Sequence, residues 1–173
     1  AAGALTSLAW DDKIAAIIVA AGALPLMVEL LSGCLDEGKA NAAKALYNLM
    51  GDDDGIRVAA VEAGAILPLV ELLGDSSDNS RAEAAGALTS LAWDDKIAAI
   101  IVAAGALPLM VELLSGCLDE GKANAAKALY NLMGDDDGIR VAAVEAGAIL
   151  PLVELLGDSS DNSRAEAAGA LTS

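Results

Sequence analysis

The sequence predicts an all-α solenoid of tandem repeats, and three observations carry that prediction. An 83-residue block, Ala1–Glu83, recurs unchanged as Ala84–Glu166, and residues 167–173 (AAGALTS) begin it a third time. Each block divides again. Gly22–Ala63 lies over Gly64–Ala104 with GA, VELL, A-x-AA-x-AL-x-x-L and an acidic pair before an Ile all in step. Finally, 55% of the chain is hydrophobic, largely Ala and Leu, while aromatics make up 2%, a balance that favours helix. A unit this short cannot bury its apolar face alone, so it stacks on its neighbours into an open-ended array. Function in such an array lies along a repeated surface.

The units are 42 or 41 residues long and form one continuous solenoid over 1–173. Repeats span 22–63, 64–104 and 105–146, with partial repeats at 1–21 and 147–173. Gly and Pro divide each unit into three helices. Ile56–Ala63 is a short helix ended by Gly64. Leu67–Leu73 is the second, with Pro68 in the first turn, where its missing N–H costs nothing. After a polar loop, Gly74–Asn79, a third helix runs from Ser80 to about Ala92, and Ser80-Arg-Ala-Glu83 has a capping-box pattern at its start. The corresponding helices of the next unit are Ile97–Ala104, Leu107–Leu114 and Glu120–Met133.

At ~100° per residue, Ala40, Ala42, Ala43, Ala45, Leu46, Tyr47, Leu49 and Met50 cover most of the third helix. Asn41, Lys44 and Asn48 fall in one narrow polar strip. A helix apolar around most of its girth is sandwiched by neighbours, so the strip faces solvent or a ligand. In the alternate unit the strip reads Asn79, Glu83, Gly86, Ser90, Trp93. Stacking sets these strips side by side.

The three-helix unit with GA-I/L-P-LVELL followed by A-x-AA-x-AL-x-N-L resembles the armadillo repeat over essentially the whole chain. That resemblance implies a right-handed superhelix whose third helices line a concave, peptide-binding groove. It assigns an Asn of the third helix to the peptide backbone, here Asn48 and Asn131. Ser7, Ser90 and Ser173 replace it in alternate units. The Trp that importin-type repeats carry one turn earlier is Lys44 or Lys127 here, or Gly3, Gly86 or Gly169, so the usual Trp–Asn array for nuclear-import signals is not reproduced. The groove candidates are Asn41, Lys44, Asn48, Glu83, Ser90, Trp93, Asn124, Lys127 and Asn131. Each has a structural alternative: an amide bonded within the solenoid, Lys44 paired with Glu83, Glu83 as a cap, Trp93 packed on the next short helix.

The net charge is −16, which argues against a nucleic-acid backbone and gives a weak preference for a basic peptide or protein segment. With no His in the chain, Cys–His and Ser–His nucleophilic pairs are excluded, and no enzyme, metal site or cofactor is expected. Gly33–Lys39 imitates a phosphate loop but lacks the following Ser/Thr and follows a helix. Asp52–Gly55 imitates a calcium loop, yet Met50 and Val61 occupy its first and last ligand positions. Cys34 and Cys117 lie one block apart, too far for a disulfide, and fit a reducing cytoplasmic or nuclear compartment. The longest uncharged run, Ile14–Val28, falls short of the ~20 residues a bilayer requires. Neither end has a polar capping repeat. Leu5, Leu8 and Leu171 therefore lose their usual neighbours, and head-to-tail self-association is expected. The competing interpretation is a duplicated or engineered array with no ligand of its own.

Overall fold

A computed structural model of the chain describes residue 3 and residues 12–33, 35–116 and 118–172. Among the described residues there are twelve α-helices and no strand. They are α1 (Asp12–Ala20), α2 (Ala23–Leu31), α3 (Asp36–Met50), α4 (Asp54–Glu62), α5 (Ile66–Leu73) and α6 (Asp78–Leu91). Then follow α7 (Asp95–Ala103), α8 (Ala106–Leu114), α9 (Asp119–Met133), α10 (Asp137–Glu145), α11 (Ile149–Leu155) and α12 (Asp161–Ala170). Short, short, long repeats down the chain, as the Gly and Pro punctuation requires.

The first two helices of a unit meet at a glycine. Gly22 and Gly105 adopt φ of 82° and 88°, a left-handed conformation that L side chains rarely enter. The chain bends there by 80° between α1 and α2 and by 86° between α7 and α8. The apolar run at Ile14–Val28 is therefore two short helices. Among the described residues no single helix is long and apolar enough to cross a membrane.

Side-chain caps open α4, α6, α7, α10 and α12, whereas α3 and α9 follow Leu35 and Leu118 and have none. Asp53 Oδ1 accepts from the Ile56 amide at 3.0 Å, and Asp136 Oδ1 from the Ile139 amide at 3.0 Å. The Asp triplets that imitate a calcium loop are thus helix N-caps. Ser77 Oγ accepts from the Ser80 amide at 3.3 Å, so α6 begins at Asp78 and the capping box expected at Ser80 is not formed. Asp75 causes the difference. Its carboxylate accepts the Ser77 amide at 3.0 Å and sets Ser77, rather than Ser80, at the cap. Ser80 instead lies buried inside the helix, where its hydroxyl donates to the Asp36 carbonyl at 3.2 Å.

The long third helices, α3, α6, α9 and α12, stack in succession, and the second helices α2, α5, α8 and α11 form a parallel row behind them. Between the rows runs one core that includes Leu46, Leu49, Leu69, Leu88, Met110 and Leu129. Every residue from Ala82 to Leu91 is buried, because α6 is held between α3 and α9. Alanine makes this close stacking possible. Each fully buried Leu adds ~1.5–3 kcal/mol.

Candidate peptide-binding face

The polar strip emerges where consecutive third helices touch. Asn124 on α9 donates its amide to the Ala82 carbonyl of α6 at 3.0 Å, and Asn131 donates to the Thr89 carbonyl at 3.1 Å. The Ala82 carbonyl lies inside α6, so Asn124 uses its second lone pair, whereas the Thr89 carbonyl belongs to the last turn, where Asn131 supplies the donor that the helix does not. Thr89 Oγ donates to the Ala85 carbonyl at 2.8 Å and lies 3.3 Å from the Asn124 carbonyl, closing the seam. Asn41, Asn48, Asn124 and Asn131 are all half-buried. Asn41 lies beside Gly3 as Asn124 lies beside Gly86.

Gly86 marks the closest approach. A Cβ there would sit 3.2 Å from Asn124 Nδ2 and 3.9 Å from Tyr47 Cδ2. Tyr47 and Tyr130 thus belong to this face, and both are exposed. The wheel count grouped them with the apolar majority. The missed signal is spacing, since Lys44, Tyr47 and Asn48 stand at i, i+3 and i+4 and share one side of the helix.

Lys44 Nζ meets Glu83 Oε1 at 2.6 Å. The Glu83 hydrogen bond holds the lysine above its usual range, more than offsetting desolvation, and the Glu120 charge adds to the effect. Glu83 is 8% exposed and Ser90 is also buried, so neither forms the open strip expected between the asparagines. Glu83 serves Lys44 instead of capping α6. Among the described residues Lys127 makes no matching pair with Glu166, and it is exposed. Burial explains the contrast: α9 covers Glu83, whereas Glu166 on α12 has no following third helix among the described residues and is only half-buried.

A second set of charges staples the rows. Lys39 reaches Asp75 at 2.7 Å, and Lys122 reaches Asp158 at 3.0 Å. The lysines are raised above their usual range chiefly by these hydrogen bonds. Asp75 is depressed first by Lys39 and then by the Ser77 amide. For Asp158 the Ser160 amide leads and Lys122 follows.

Trp93 lies in the turn after α6 and is 68% exposed. On one side it borders an apolar depression of about 440 Å³ with Val58, Val61, Leu91 and Ile97. On the other it borders a more polar one of about 410 Å³ with Tyr130, Asn131, Asp95, Asp135 and Arg140. Arg140 is already engaged, by Asp137 at 2.7 Å and by the Gly134 carbonyl. Ser7, Trp10, Cys34, Cys117 and Ser173 lie outside the described residues.

Stacked three-helix units with an amide-bearing seam along the long helices define an armadillo-type α-solenoid. The Armadillo/beta-catenin-like repeat profile matches residues 53–93 and 136–173. An engineered protein from the Northeast Structural Genomics Consortium superposes with a TM-score of 0.91 at 34% identity, over 98% of this chain and 70% of its own. A designed armadillo repeat protein gives 0.91 at 31% identity, over 98% and 72%. Another, in complex with the peptide (KR)4, gives 0.87 at 31% identity, over 96% and 71%. No curated protein matches. The chain belongs to the armadillo repeat family.

Proposed function

We propose that the chain is a non-enzymatic scaffold that holds an extended, preferentially basic peptide along the faces of its third helices. The Asn131 site carries this reading. One N–H of the amide is spent on Thr89, which fixes its orientation, while the other N–H and the carbonyl oxygen suit a peptide backbone. Trp93 and Tyr130 border the same depression, where aromatic faces favour a cation, and Asp95 and Asp135 favour its charge. The (KR)4 peptide of the designed relative and the net charge of −16 support a basic ligand. Titration calorimetry with an alternating Lys-Arg peptide and its Asp-Glu counterpart tests it. Salt-sensitive binding of the first alone, weakened several-fold by Asn131→Ala, is the expected result. Equal or absent binding of both overturns it.

A further inference from the structure

The turn after α6 carries an indole that the fold does not require. Gly51 and Gly134 hold the same place after α3 and α9, and the chain turns there equally well. Trp93 is mostly exposed, yet it is a wall common to two depressions. The apolar one is lined by residues between 54 and 97, with further units on both sides of it along the chain. Leu91 and Ile97 are buried at its floor, Val61 is half-buried, and Val58 stands exposed at its lip. The charges at its rim are spent or balanced. Arg57 is held by Asp54 at 2.8 Å and by the Gly51 carbonyl. Asp94 caps α7, its carboxylate accepting the Lys96 and Ile97 amides at 3.0 and 3.1 Å. Glu62 and Lys96 add one charge of each sign. A cleft of about 440 Å³ lined in this way suits an uncharged, apolar side chain. The depression across the indole, with Tyr130, Asn131, Asp95 and Asp135, suits a cation.

We propose that Trp93 divides the ligand site into two subsites, so that the peptide held along the third helices carries a large aliphatic or aromatic residue beside its basic run. The apolar side chain enters the cleft between α4 and α7, while a basic side chain lies on the Tyr130 side of the same indole. This deepens the peptide-binding reading and rests on it. The occupant follows from continuity and charge: the cleft shares Trp93 with the cation-attracting depression, so a chain that fills one passes the other. A rigid, exposed indole gains most when both of its borders are covered and water is excluded from them. One side chain separates the subsites, so the two ligand residues stand within about three positions of each other, at ~3.3 Å per extended residue.

Titration calorimetry tests this with an alternating Lys-Arg octapeptide and with the same peptide extended at either end by Phe, directly or after one or two Gly. Extensions with Ser in place of Phe are the controls. One Phe-extended peptide is expected to bind about ten-fold more tightly than the parent, as partial burial of a large apolar side chain provides. Val58→Gln, at an exposed position, removes that gain and leaves the affinity of the parent peptide unchanged. Trp93→Ala weakens both. Circular dichroism verifies the fold of each variant. Phe extensions that bind no better than Ser ones, or a gain that survives Val58→Gln, overturn the apolar subsite while the peptide-binding reading stands. If no Lys-Arg peptide binds the unsubstituted chain, that reading itself falls and this inference with it.

Discussion

Lys44 and Lys127 are the same residue of the same helix, and they do different work. Lys44 closes on a carboxylate whose side chain is 11% exposed, whereas Lys127 has no such partner among the described residues. Removing Lys44 leaves Glu83 charged and poorly solvated. The lysine is itself nearly half exposed, so screening limits the loss. Lys44→Met is expected to cost ~1 kcal/mol and Lys127→Met less than ~0.5 kcal/mol in chemical denaturation. Equal effects would show that the pair adds nothing. The helical wheel puts Asn41, Lys44 and Asn48 on one strip, and all three are half-buried. It could not assign Glu83, since a residue that suits a cap suits an ion pair equally well, and the choice depends on a lysine 39 residues away. Nor could it show that Asn124 and Asn131 would each bond a neighbouring carbonyl, because stacking distance is a tertiary property.

At the scale of single helices, boundaries were legible to within a turn. Gly64 and Gly105 end helices because their φ values suit glycine, and that is visible in a sequence. The start of α6 was not, since Ser77 and Ser80 are both good caps and Asp75 decides between them. Ser77→Ala should therefore cost ~1 kcal/mol. Helix-row attachment brings a pH dependence. Asp75 and Asp158 are depressed in the fold. Their contribution is present above the unfolded value of ~3.9 and is lost as pH falls through the folded one. Lys39 and Lys122 are raised, so theirs holds below 10.5 and is lost as pH rises above the folded value. Thermal melts from pH 5 to 2 should fall less steeply for an Asp75→Asn, Asp158→Asn double variant, whose starting stability is lower. Parallel curves would contradict the assignment.

For the whole molecule, repetition made the architecture legible before any local argument, because identical units can bury their apolar faces only on one another. The end faces were harder to read. The sequence pointed to Leu5, Leu8 and Leu171. The first two lie outside the described residues, and Leu171 is half-buried against the core. The open residues are Val153 and Leu156, since the outer side of each second helix is covered only by the next unit. Leu73→Ala should thus cost ~2–5 kcal/mol and Leu156→Ala under ~1 kcal/mol in dilute solution, a contrast measurable by urea denaturation. The central claim is that a basic peptide lies along the third helices. Hydroxyl-radical footprinting with and without a Lys-Arg peptide tests it most directly. The account predicts protection of Tyr47, Tyr130 and Trp93, with Leu67 and Leu150, exposed on the second helices, unchanged. Protection of those leucines, with the aromatic side chains still reactive, would contradict it.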